Sequence, residues 1–143
     1  MSTLTPPAPL SAAHRAVVAV GGALAGAGVM LAGTNLPWAI LMYPLDGPSA
    51  THNLSIAVGA GGFAFALLVS WVAFRLVRAI RPWVDALVGV ALAVAVTFAV
   101  STLVSILMGV TGVATLFIPV AYAATAVACA ALYLFVARTV RRR

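Results

Sequence analysis

The sequence has 143 residues and contains no lysine, glutamate or glutamine, and its only carboxylates are Asp46 and Asp85. Charged residues make up 7% of the chain, whereas a soluble domain has about 25%. So few charges cannot cover a water-facing surface, which excludes a soluble globular domain. The missing residue types are typical of the coding bias of GC-rich bacterial genomes, such as those of actinobacteria.

Apolar residues make up 64% of the chain and fall into four runs, two in each interval between three groups of arginines, with a turn between the two runs of a pair. Because a bilayer core takes about 20 helical residues, two helices fit between consecutive groups. Two helical hairpins are the only arrangement that keeps every arginine on one side. Arginine stays on the cytoplasmic side of membranes. The sequence therefore predicts an all-α protein of the bacterial plasma membrane, with four transmembrane helices in two hairpins and both termini cytoplasmic.

The predicted helices form a single transmembrane domain over residues 1–143. They span roughly 16–36, 54–74, 83–108 and 116–137. Pro37, just after Asn35, is expected to end or kink the first helix, because proline lacks a backbone N–H. Segment 37–44 should then lie at the outer interface, with Trp38 and Tyr43 as anchors at headgroup level. Pro82 suits the first turn of the third helix, and Trp83 is a further interfacial anchor.

Three arginines after the second apolar run have the three-residue spacing of a voltage-sensor helix. They are Arg75, Arg78 and Arg81. A sensor needs its arginines inside the membrane field, whereas these follow the end of the span. We interpret them as a topology anchor that contacts anionic phospholipids, together with Arg138 and Arg141. No aromatic residues accompany the charge in a way that would favour nucleic-acid binding.

Small residues recur at every fourth position of the third predicted helix, a spacing at which another helix can approach closely. They are Gly89, Ala93, Thr97, Ser101 and Ser105. The first helix carries a second such pattern, Gly22-x-x-x-Gly26. Both patterns predict helix-packing positions, either inside the chain's own bundle or at an interface with a partner subunit.

Residues that carry chemistry are scarce. A single cysteine, Cys129, excludes an internal disulfide and dithiol chemistry. His14 and His52 are predicted on opposite sides of the membrane, so they cannot form the paired ligands of a haem or copper site. His52 is expected to hydrogen-bond in an exposed outer turn, with a weak metal site shared with Asp46 as the alternative. We expect no catalytic residue, cofactor or metal.

Proton-coupled carriers and ion pumps keep an ionisable group inside the membrane. No Asp, Glu, Lys, Arg or His falls at the centre of a predicted helix. These features favour a small non-catalytic accessory subunit of a larger bacterial membrane complex, with a respiratory cytochrome bc–oxidase supercomplex as the first choice. Its partners would be other integral membrane subunits and anionic phospholipids.

The alternative function is a small homo-oligomeric channel or transporter for a neutral solute. Small multidrug exporters are of comparable size, but they depend on a membrane-embedded glutamate, which this chain lacks. The two functions differ in whether the hydroxyls of the third helix face water or another helix. A holin-like lysis protein with a basic tail is a third possibility.

Overall fold

The computed structural model describes residues 10–46, 49–111 and 116–140, without the side chains of residues 38, 42–46, 111 and 140. This part of the chain forms α1 (Ala12–Asp46), α2 (Ala50–Leu76), α3 (Pro82–Thr111) and α4 (Phe117–Val140), and it contains no strand. All four helices are long and apolar enough to cross a membrane. The architecture fits an all-α, multi-pass membrane protein.

Helix α2 begins earlier than predicted because Ser49 caps it. The Ser49 hydroxyl accepts the backbone N–H of His52 at 3.2 Å and lies 2.8 Å from His52 Nδ1. A serine at this position satisfies an N–H group that has no partner within the helix. His52 therefore lies in the first turn of α2 and is only 1% exposed. The prediction that it lies in an exposed turn is wrong.

Helix α1 begins with the same pattern. Ser11 Oγ accepts the backbone N–H of His14 at 3.2 Å and lies 2.8 Å from His14 Nδ1. The segments Ser11-Ala-Ala-His14 and Ser49-Ala-Thr-His52 are thus two copies of one capping motif. The motif sets the start of both helices.

Helix α1 continues through Asn35 and Pro37, where the sequence predicted a helix end. The side chains just before the proline donate to carbonyls one turn earlier. Thr34 Oγ1 lies 3.0 Å from the Met30 oxygen, and Asn35 Nδ2 lies 2.8 Å from the Leu31 oxygen. Membrane helices tolerate proline where side chains and neighbouring helices stabilise the backbone.

The segment after Pro37 is helical to Asp46, so the predicted helix end is wrong, while the kink stays a prediction. The anchors predicted in this segment, Trp38 and Tyr43, have side chains outside the described part. In contrast, Pro82 is the first residue of α3, as predicted, and Asp85 lies in the first turn of that helix. Proline suits a helix start because its missing N–H has no partner there in any case.

Helix α1 contacts each of the other three helices. Close contacts with α2 show how the two helices run. A Cβ added to Gly21 would lie 2.7 Å from Ala73 Cβ, and one added to Gly59 would lie 2.5 Å from Leu36 Cγ. Between these two contacts the residue number rises from 21 to 36 in α1 and falls from 73 to 59 in α2. The two helices are therefore antiparallel.

Candidate functional site

The predicted packing glycines of α1 face α4, inside the chain's own bundle. A Cβ added to Gly22 would lie 2.6 Å from the Cys129 carbonyl oxygen, and one added to Gly26 would lie 2.9 Å from Cys129 Sγ. Both glycines are buried. Helix α4 packs closely against this surface of α1, so the surface is not available to a partner subunit.

The predicted row on α3 turns from the interior to the surface. Gly89, Ala93 and Thr97 are buried, Ser101 is half-buried and Ser105 is exposed. Residues at every fourth position drift by about 40° per step, so such a row winds around its helix. Ser101 Oγ lies 3.6 Å from the Met30 sulfur on α1. Of the predicted row, the described structure leaves only Ser105 on the outside of the bundle.

Tyr133 of α4 is the largest of the fully buried side chains. Its hydroxyl lies 2.6 Å from Ser70 Oγ on α2, and Ser70 Oγ lies 2.6 Å from the Ala66 carbonyl oxygen. Because the single hydrogen of Ser70 is donated to that carbonyl, Tyr133 donates to Ser70. The Tyr133 ring also stacks on Phe74 with centroids 5.5 Å apart. This hydrogen bond joins α2 and α4 in a largely apolar interior.

Two of the predicted packing glycines make room for Tyr133. A Cβ on Gly22 would lie 2.9 Å from Tyr133 Cβ, and one on Gly89 would lie 3.1 Å from the Tyr133 hydroxyl. Sequence reasoning did not identify the Ser70–Tyr133 pair. A signal was available, since each residue lies five positions before an arginine that ends an apolar run. Equal distance from such arginines predicts equal depth in a membrane.

The remaining buried hydroxyls belong to Thr97 and Thr125. Thr97 lies beside the Cys129 thiol. Neither Thr97 Oγ1 nor Thr125 Oγ1 makes a hydrogen bond of good geometry within the described residues. In that part of the chain, no three His, Cys, Asp or Glu side chains come together. Apart from His52 at the start of α2, the buried polar side chains of the described residues are thus hydroxyls and one thiol.

Aromatic rings and an arginine stack where α2 ends. Arg75 Cζ lies 4.9 Å from the centre of the Trp71 ring, and Trp71 stacks on Trp83 with centroids 5.1 Å apart. A guanidinium over an indole face is attracted by the ring quadrupole. Trp83, the predicted interfacial anchor, is 59% exposed. We call these residues the Arg75–Trp71–Trp83 stack.

Arg78 occupies an unusual backbone conformation in the connection between α2 and α3, with φ at 58°. Its N–H donates to the Arg75 carbonyl at 3.0 Å, and the Ala79 N–H donates to the Phe74 carbonyl at 3.0 Å. These two bonds define a Schellman motif, in which the left-handed position is usually glycine. Here that position carries an exposed guanidinium.

The other predicted lipid contacts are Arg138 and Arg141. Arg138 is exposed in the last turn of α4. Arg141 falls outside the described residues.

A set of small residues on α2 lies on the outside of the bundle. We call it the α2 outer face, and it consists of Ala57, Ala60, Gly61 and Ala64, all exposed. A Cβ added to Gly61 would have no neighbouring atom within 4 Å. Gly62, the next residue, is buried, and its Cβ would lie 2.7 Å from the Gly28 carbonyl oxygen. The α2 outer face therefore has a flat surface with no partner in the described chain.

Four apolar helices around a small, uncharged polar interior fit a multi-pass membrane protein. Comparison with known proteins found no matching family model, no matching curated protein and no matching solved structure.

Proposed function

We propose that the chain is a small, non-catalytic accessory subunit of a larger bacterial membrane complex. In this proposal its helices cross the plasma membrane as two hairpins with both termini cytoplasmic, because the arginines then all lie on one side. The observation that carries the proposal is the α2 outer face. Small residues at an exposed helix surface let the backbone of a second helix approach closely, which is how helices associate in lipid.

The interior of the bundle supports a structural role. Its close contacts, such as that of Gly22 with Cys129, serve packing among the four helices. The buried hydrogen bond from Tyr133 to Ser70 joins two of them. These groups stabilise the bundle and leave its outer surface as the place where the protein acts.

Within this proposal, a respiratory cytochrome bc–oxidase supercomplex is the first choice of parent complex, and anionic phospholipids are additional partners. The subunit would fill a lipid-facing gap and hold neighbouring helices in register. The haem would belong to the larger subunits, so their absorbance offers a direct signal of association.

Affinity purification of the tagged full-length chain from its native membranes in mild detergent tests this proposal. We expect stoichiometric recovery of haem-bearing subunits, seen by mass spectrometry and by haem absorbance on a native gel. Gly61→Leu should abolish recovery, because the leucine fills the α2 outer face. Gly109→Leu is the matched control, since Gly109 is also exposed with open space around it but lies on α3.

Recovery of the chain alone, as a discrete homo-oligomer, would contradict the accessory-subunit proposal. Equal loss of partners in both leucine variants would instead show that the α2 outer face has no special part in assembly.

The second candidate is a homo-oligomeric channel or transporter for a neutral solute. It is favoured by two exposed hydroxyls on α3, which could line a passage between copies. Thr102 and Ser105 lie on the outside of the bundle and donate to the carbonyls of Phe98 and Ser101 at 2.9 and 2.8 Å. Glycerol flux into liposomes that contain the pure protein, and its loss in Ser105→Leu, would establish this function in place of the first.

A further inference from the structure

We propose that the connection between α2 and α3 is a binding site for the phosphate group of an anionic phospholipid. The site comprises residues 75–81 together with Trp71 and Trp83, and we call it the arginine turn. The inference rests on the proposed membrane placement but not on any partner subunit. A general attraction between arginines and a charged membrane would involve no particular site, whereas this inference places the phosphate at the arginine turn.

Charge is the first step of the argument. Arg75, Arg78 and Arg81 are all exposed within seven residues of chain, and the nearest carboxylate in sequence is that of Asp85. Three cations and one anion give this segment a formal charge of +2. Guanidinium groups bind phosphate oxygens through two parallel N–H donors, which makes arginine suited to this group.

The backbone at Arg78 is the second step. A left-handed C′ position favours glycine, since any side chain there crowds the neighbouring carbonyl. The turn nevertheless carries an arginine at this position, with both hydrogen bonds of the Schellman motif in place. A residue that breaks a local rule points to a function for its side chain. At this break between two helices, that function is to present a guanidinium to a ligand outside the bundle.

Preorganisation is the third step. The Arg75–Trp71–Trp83 stack fixes the Arg75 guanidinium against an indole ring, so less side-chain freedom is lost when it binds an anion. Helix α3 begins immediately after the turn, and the positive end of its dipole favours an anion at the same place.

Exposed apolar groups decide between a lipid and a free phosphate. Ile80 is 74% exposed and Trp83 is 59% exposed, and both flank the arginines. Free phosphate gains no binding energy from apolar side chains, whereas a phospholipid has acyl chains next to its phosphate that can contact them. Tryptophan is also enriched at the level of the headgroups. The arginine turn therefore matches a phospholipid, with cations for the phosphate and apolar side chains for the acyl chains.

Titration of dioctanoyl phosphatidylglycerol into the full-length protein in dodecyl maltoside micelles tests the site. Binding is followed by tryptophan fluorescence in a Trp38→Phe background, in which Trp71 and Trp83 remain, and dioctanoyl phosphatidylcholine serves as the lipid control. We expect phosphatidylglycerol to bind more tightly, and Arg78→Gly to weaken it roughly tenfold, the effect of losing one charged hydrogen-bonded contact. Arg138→Ala removes an exposed arginine outside the turn and should change the affinity less than about twofold.

Arg78→Gly also separates binding from folding. Glycine is more favourable at this backbone position, so the variant should unfold at the same or a higher temperature while it loses affinity. Arg78→Lys keeps the charge but not the paired donors, and should fall between the wild type and Arg78→Gly.

Three results would overturn the proposal. The first is equal binding of the two lipids, and the second is an equal loss in Arg78→Gly and Arg138→Ala, which would indicate only a general charge attraction. The third is saturation of the signal by sodium phosphate at the same concentrations as the lipid, which would indicate a free-anion site. Since the experiment uses the isolated chain, its outcome is independent of whether a parent complex is found.

Discussion

The two faces of α2 carry the same kinds of residue but meet different surroundings. On the inner face, Gly62 lies so close to Gly28 of α1 that a methyl group on either would lie less than 3 Å from the carbonyl oxygen of the other. On the outer face, the neighbouring Gly61 has open space around it. The presence of a glycine therefore does not show that two helices are in contact. The side of the helix on which the glycine lies decides whether another helix packs against it.

The comparison explains how a membrane bundle gains stability when lipid is as apolar as its own core. Burying apolar surface gives little energy in lipid, so it cannot explain why one face of α2 packs inside the bundle. Close approach of the helix backbones can explain it. At the Gly28–Gly62 crossing the two backbones come near enough for dispersion and weak Cα–H···O contacts to act together. The α2 outer face offers the same opportunity to a neighbour from another chain.

The largest effect is expected from Gly62→Ala. The new Cβ would lie 2.7 Å from a backbone oxygen that cannot rotate away, so α1 and α2 must move apart. We expect a loss of about 2 kcal/mol in the free energy of unfolding, the usual cost of overpacking. Unfolding in mixed micelles of dodecyl maltoside and SDS would measure it. Unchanged stability would show that the α1–α2 crossing is looser than the structure indicates.

Sequence reasoning could predict the helices because membrane insertion depends on local properties. Runs of about 20 apolar residues and the arginines that end them can be read without knowledge of the fold. The direction in which each residue faces could not be predicted in the same way. Both faces of α2 are apolar, and Gly61 and Gly62 differ only in orientation. The choice between them depends on α1, which is distant in sequence.

An intermediate effect is expected from Tyr133→Phe, which tests a polar contact of the inner face. The change removes the hydrogen bond to Ser70 but leaves the ring in place, and Ser70 still donates to the Ala66 carbonyl. We expect a loss of about 1 kcal/mol in the free energy of unfolding. Ser70→Ala and the double variant complete a thermodynamic cycle. Additive effects of the two single changes would show that the hydroxyls do not interact.

The smallest effect is expected from Gly61→Ala, which makes the same chemical change as Gly62→Ala on the opposite face. Its methyl group meets no neighbour, and alanine has the higher helix propensity, so we expect a gain of about 0.5 kcal/mol in the same unfolding experiment. Gly61→Ala and Gly62→Ala should therefore have effects of opposite sign. A clear loss of stability in Gly61→Ala would mean that the α2 outer face is already covered, for instance by a second copy of the chain.

Two errors in the sequence predictions have a common physical origin. Judged by its own preference, each residue type places His52 in a turn and ends or kinks α1 at Pro37. In the structure, Ser49 extends α2 to include His52, and α1 stays helical through the proline, with Thr34 and Asn35 donating to the Met30 and Leu31 carbonyls in the turn before it. The pattern of serine followed three residues later by histidine could have revealed the first of these.

The extensive packing of α1 has a consequence for how the protein is made. Of the four helices, α1 leaves the ribosome first, and it packs against α2, α3 and α4. Domains and segments made early begin to fold before the rest of the chain is complete. We therefore expect each later helix to enter a membrane that already holds α1. The glycines along α1 would then receive α2 and α4 in the order of their synthesis.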